Sequence, residues 1–278
     1  GRIQPSELMK IAVPMMVAWY FAKREASLRW SDYLVGTLLV LVPVGLVMKQ
    51  PDLGTALLIL ASGFYVLFLA GLSWKILVGG AVSAAVMAPI FWSLLHDYQR
   101  KRIEILLDPS QDPLGAGYHT IQAGIALGSG GFAGKGWLNG TQSQLDFIPE
   151  RTTDFIFAVA AEEFGIILCL LLISLFAFIV IRALLHSWKT EDPFIRFASA
   201  GLAILFGLQS AINMAVNIHL IPAKGMTLPF ISYGGSSMLS LAYGMGILLA
   251  VTRQRPRAEI LAHRDAHLRN QGQYRGNK

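Results

Sequence analysis

One carboxylate stands where a carboxylate is costly. Asp154 closes the polar stretch Pro149-Glu150-Arg151-Thr152-Thr153-Asp154 and heads an apolar run from Phe155 to Leu185, interrupted only by Glu162, Glu163 and Arg182. An acid at membrane depth costs about 2.5–3.5 kcal/mol on insertion scales, so such an acid is read first as functional. A carboxylate at the water–lipid boundary can act as a general base toward a hydroxyl nucleophile. Glu7 and Lys10, spaced i, i+3, can pair on one helical face. Asp52 follows Gln50-Pro51, where it can cap a helix or line a cleft, and Lys224 lies in Pro222-Ala223-Lys224-Gly225. Lys224, Lys10 or Arg151 could supply positive charge where negative charge develops. Each residue alone has a plain structural explanation, and Asp154 itself could be only a helix cap. Acids and bases from four separate apolar segments at one membrane level instead suggest a polar cleft.

Other polar groups read as structural. Glu162 and Glu163 lie two turns deeper than Asp154, where pairing with a base or a helix N-terminus is expected. Asn213 and Asn217, spaced i, i+4, are expected to hydrogen-bond between helices. Ser232-Tyr-Gly-Gly-Ser-Ser237 allows close helix packing and could also receive an anion. The run Gly128-Ser-Gly-Gly-Phe-Ala-Gly-Lys-Gly136 is not a phosphate loop. Position 129 is Ser where that motif needs Gly, and position 136 is Gly where it needs Ser or Thr. Nor does a βαβ unit surround it, so a tight loop between half-helices is the reading.

These groups must be held by membrane helices. Of 278 residues, 54% are hydrophobic and 14% charged, against about 25% charged in soluble domains. Apolar stretches near 8–22, 33–49, 54–71, 75–96, 154–185, 196–220 and 229–252 predict an all-α, polytopic helical bundle of about seven spans. Residues 1–252 form the membrane domain, and 253–278 form a basic tail. Counting Lys and Arg on alternate sides gives nine on one and fourteen on the other, the latter with the tail. The positive-inside rule makes the tail cytoplasmic and turns the loop 97–153 outward. Short helices are expected in that loop, over 96–107 and 120–127. The net charge of +6 is mostly the tail's and requires no nucleic acid. The single Cys169 excludes a disulfide framework. The chain opens in a polar segment with Gly1, which reads as a truncation.

Several ordered motifs together resemble the SEDS family of cell-wall glycosyltransferases, which includes RodA, FtsW and SpoVE. They are Gln4-Pro-Ser-Glu-Leu-Met-Lys10, Gln50-Pro-Asp-Leu-Gly-Thr55, Asp112-Pro-Leu-Gly-Ala-Gly-Tyr118, Gly140-Thr-Gln-Ser-Gln144, Pro149-Glu-Arg-Thr-Thr-Asp-Phe155, Ala161-Glu-Glu-Phe-Gly165 and Lys224-Gly-Met-Thr-Leu-Pro-Phe-Ile-Ser-Tyr-Gly-Gly-Ser236. The chain resembles RodA to about residue 190 and FtsW over Pro222 to Ser237. Family members have ten spans, so the first three appear as missing here. Thr152 stands where the family usually has His.

The resemblance implies a peptidoglycan glycosyltransferase of the bacterial inner membrane that polymerises lipid II at the outer face, in elongation or division. Asp154 aligns with the family's proposed catalytic acid. Glu7, Lys10, Asp52 and Lys224 align with its cavity residues, and Asp146 with an acid of its outer loop. A new β-1,4 bond would form with inversion as undecaprenyl pyrophosphate leaves, with a Mg or Mn ion as a further source of positive charge. The implied partners are lipid II, a class B penicillin-binding protein transpeptidase and other elongation or division machinery. Two other functions fit an outer cleft: a lipid II flippase, or a scaffold for that transpeptidase.

Overall fold

The computed structural model describes residues 4–50, 52–94, 97–108, 116–145, 147–148, 150–222 and 225–253. Among these the protein is all helical. The helices are α1 (Pro5–Ala22), α2 (Trp30–Met48), α3 (Leu53–Leu69), α4 (Trp74–Val86), α5 (Ala88–Leu94), α6 (Asp97–Leu107), α7 (Ala116–Ser129), α8 (Thr141–Gln144), α9 (Ile156–Lys189), α10 (Pro193–Asn217) and α11 (Gly235–Thr252). All seven predicted apolar stretches are helical. The fourth is split at Met87 into α4 and α5, and the last begins only at Gly235. By length and composition α2, α9, α10 and α11 can cross a membrane, while α3 and Trp74–Ser83 are shorter apolar helices. α1 is not among the four, because its first two turns carry Ser6, Glu7 and Lys10. This is the architecture of a polytopic membrane protein.

Helix starts follow local chemistry. Pro5 and Pro193 sit at first-turn positions where no amide is needed. Asp192 caps α10 by accepting from the Ile195 amide at 3.0 Å. Asp32 accepts from the Arg29 amide at 2.8 Å at the start of α2, and it also pairs with Arg24. The core has α10 at its centre, packed on α1, α3, α9 and α11. Val13, Val17 and Phe21 of α1 meet Val40 of α2, Ile59, Val66 and Leu67 of α3, and Phe197 of α10. The main contacts of α4 and α5 are with each other.

The element that shapes the site is a break in α9. Gly165 has φ 73° and ψ −170°, a backbone region that is essentially glycine's alone. The break leaves a half-helix, 156–164, ahead of the long apolar helix 166–189. Its freed backbone groups are met by the glycine run. Lys135 N donates to Glu162 O and Gly136 N to Glu163 O, both at 2.9 Å, while Ile166 N donates to Gly131 O at 3.0 Å. A Cβ on Gly165 would overlap the Phe132 carbonyl. Gly165→Ala is therefore expected to destabilise by about 3 kcal/mol, from strain and overlap together. Thermal unfolding in detergent measures this, and an unchanged midpoint would show that the break is unimportant.

Candidate active site

The ends of four helices meet around Asp154. α10 ends at Asn217, α11 starts at Gly235, the half-helix starts at Ile156, and α3 starts beside Met226. The last contact is direct: a Cβ on Gly54 would sit 3.1 Å from Met226 Cγ. Glu7 and Lys10 of α1, Asp52 at the start of α3 and Asp154 ahead of α9 thus stand at the same end of the bundle.

The main chain leading into the half-helix is tied at three successive carbonyls. Thr152 O accepts from Tyr233 N at 2.8 Å, and Thr153 O accepts from Ser232 Oγ at 2.6 Å. Asp154 O accepts from Asn213 Nδ2 at 3.0 Å and from Asn217 Nδ2 at 2.9 Å. Phe155 occupies the N-cap position of α9, and Asn217 Oδ1 accepts from the Ala158 amide at 3.0 Å. A capping bond to this first turn thus comes from α10. The Asp154 carboxylate lies against Gly225, where a Cβ would be 3.6 Å from Oδ2. Gly225 has φ 67° and is the residue after Lys224. Lys224 and Asp146 lie outside the described residues.

Asn213 and Asn217 belong to a longer ladder. Gln209, one turn earlier on α10, is also buried, and its Nε2 donates to Thr227 O at 3.1 Å. Its Oε1 accepts from Lys10 Nζ at 3.3 Å. Asn213 Nδ2 also reaches Met226 O at 2.6 Å. One face of α10 thus links Lys10, the 226–227 backbone and Asp154. The sequence reading picked out Asn213 and Asn217 and missed Gln209. The signal was available, since Gln209 precedes Asn213 by one turn of the same apolar helix.

Lys10 itself is almost fully enclosed. Its ammonium lies 2.7 Å from Glu7 Oε2, and Ser240 Oγ donates to the same carboxylate oxygen at 3.1 Å. Glu7 neutralises it locally, so its charge serves the bundle first. Asp52 accepts from the Thr55 amide at 3.0 Å as the N-cap of α3. Arg151 donates to the Ser143 carbonyl and ties the Asp154 loop to α8.

Glu162 is fully buried and has both kinds of partner expected of it. Lys135 Nζ lies 2.8 Å from Oε1, and Thr141 Oγ1 donates to that oxygen at 3.1 Å. The Gln142 and Ser143 amides reach the carboxylate at 3.0 and 3.3 Å. Glu163 joins the glycine-run contacts through its carbonyl. The base that pairs with Glu162 is the lysine of the glycine run, a pairing hidden in the sequence because the two stand 27 positions apart.

Among the described residues no three His, Cys, Asp or Glu side chains form a group able to hold a metal ion.

The comparisons with known proteins agree in one direction. The cell cycle protein family FtsW/RodA/SpoVE matches residues 2–257. The chain is 46% identical over 255 residues to the peptidoglycan glycosyltransferase MrdB of Escherichia coli K12, covering 91% of this chain and 69% of that protein. It is 41% identical to a probable peptidoglycan glycosyltransferase FtsW of Caulobacter vibrioides, covering 92% of this chain and 64% of that one. A chain of a solved peptidoglycan synthase complex, described as coordinating polymerization and crosslinking, superimposes with a TM-score of 0.75 at 34% identity. That alignment covers 92% of this chain and 71% of the other. The rod shape determining protein RodA of Thermus thermophilus superimposes with a TM-score of 0.63 at 29% identity, covering 92% of this chain and 67% of that one.

Proposed function

This chain belongs to the FtsW/RodA/SpoVE family of cell cycle proteins, and from that premise we propose that it polymerises lipid II at the outer face of the bacterial inner membrane, with Asp154 as the general base. It is a peptidoglycan glycosyltransferase of cell shape or division. The observation that carries the finer reading is the tethering of Asp154: three successive carbonyls are fixed, and Asn217 also holds the first turn of the helix that follows. A base must be held within hydrogen-bond reach of the proton it takes.

In this mechanism the acceptor sugar 4-hydroxyl attacks the anomeric carbon of the donor. The hydroxyl proton passes to the Asp154 carboxylate, the new β-1,4 C–O bond forms with inversion, and the bond to undecaprenyl pyrophosphate breaks. The leaving group carries away the electron pair and needs positive charge nearby. Lys224, which precedes Gly225 in the sequence, is the first candidate for that role, and Arg151 of the Asp154 loop is the second. Lys10, already paired with Glu7, is better suited to fixing the bundle. A Mg or Mn ion would be held mainly by the pyrophosphate, because Mg²⁺ uses one or two carboxylates and keeps several waters.

The positive-inside count supports a cytoplasmic tail and an outward loop 97–153. A class B penicillin-binding protein is the proposed partner, supported by the likeness to a synthase complex that joins polymerization to crosslinking. Purified protein given labelled lipid II, with and without that transpeptidase, tests the reading. Polymer without the partner supports an intrinsic glycosyltransferase. Translocation without polymer would make the protein a flippase, and polymer formed only by the partner would make it a scaffold.

A further inference from the structure

Asn213 sits where two segments meet beside the Asp154 carboxylate. Its Nδ2 is shared between Asp154 O at 3.0 Å and Met226 O at 2.6 Å. Those carbonyls belong to the loop that presents the carboxylate and to the segment that begins at Gly225, against which the carboxylate lies. The side chain is buried, so no water replaces it cheaply. This amide is the tie nearest the carboxylate, and it acts beside the bonds from Ser232 and Tyr233 that join the same two segments.

Its neighbour Asn217 has a different task. Asn217 Nδ2 also reaches Asp154 O, at 2.9 Å, but its Oδ1 holds the Ala158 amide inside the half-helix. Loss of Asn217 would unpin the helix itself. Loss of Asn213 leaves the Asn217 bond to Asp154 O and the helix start intact, while Met226 O loses its bond to Asn213. Below it, Gln209 still holds Thr227 O.

We infer that Asn213 is a positioning residue for the glycosyl transfer: it touches neither sugar nor pyrophosphate, and it fixes the Asp154 carboxylate relative to the Gly225–Met226 backbone. This rests on Asp154 being the base. A misplacement of about 1 Å from a residue outside the chemistry can cost on the order of 10²-fold in rate. The effect falls on turnover, because substrate binding uses the rest of the cleft.

The test is steady-state polymerisation of labelled lipid II by the wild type, Asn213→Ala and Asp154→Asn, each checked for monodispersity in detergent. Asn213→Ala is expected to lower kcat by about 10- to 100-fold while KM stays within about 2-fold. An unchanged kcat, or a rise in KM alone, overturns the inference. If Asn213→Ala does not yield monodisperse protein, Ser232→Ala is read by the same criterion. Ser232 Oγ joins the same two segments, donating to Thr153 O and accepting from the Leu228 amide at 2.7 Å. The Asp154→Asn arm separates the two levels of failure. If it is inactive while the positioning variant turns over normally, only the role of Asn213 falls. If it turns over at the wild-type rate, the base assignment falls first.

Discussion

Asp154→Asn is expected to lower the rate of lipid II polymerisation by about 10²- to 10⁴-fold, the usual share of a positioned general base. Asn has nearly the shape of Asp and cannot take the proton. The bonds to the main-chain carbonyls of Thr152, Thr153 and Asp154 that hold this loop are kept by the substitution. Insertion and monodispersity are therefore expected to match the wild type, and KM to change little. Asp154→Glu retains a base but pushes it outward by one methylene, so its rate is expected to fall between the two. Turnover measured across the three proteins should rank wild type, Glu, Asn. Asn turning over as fast as the wild type would remove Asp154 from the chemistry.

The second large effect concerns stability. Lys135→Ala is expected to destabilise the protein by about 3 kcal/mol, the low end of the range for breaking a buried ion pair by removing one partner. Glu162 is left fully buried without its counter-charge. The low end applies because Thr141 Oγ1 and the Gln142 and Ser143 amides still donate to the carboxylate. The loss should spread to the site, since α8 holds Arg151 through the Ser143 carbonyl. Thermal unfolding in detergent reads the effect. A change within about 0.5 kcal/mol, as for an ordinary surface substitution, would mean the pair does not anchor the loop.

Much of this site is legible in the sequence because membranes make polar residues expensive. Asp154, Glu7, Lys10 and Asp52 stand out against apolar neighbours, and the structure gathers them at one end of the bundle. The Glu7–Lys10 pair follows from helical spacing alone. Less legible are features that depend on which backbone groups a tertiary fold leaves open. Gly165 sits within an apolar run that reads as one continuous helix, and only the approach of the Gly131 and Phe132 carbonyls makes its conformation visible. The glycine run was readable as a tight loop, but not as the partner of that break. Lys135 and Glu162 meet through the same contact. The Asn213 and Asn217 spacing suggested inter-helix bonding. That both amides converge on the carbonyl of Asp154 depends on how α10 packs beside α9, which no local pattern encodes.

The central claim is that Asp154, held by α10 and the segment before α11, is the base of a glycan polymerase. The most direct measurement is product length. Purified wild type and Asp154→Asn, at equal concentration and equal monodispersity, are incubated with labelled lipid II and the products resolved by gel. A ladder of glycan strands from the wild type and unreacted lipid II from the variant is the predicted result. Ladders of equal intensity and length from both would contradict it.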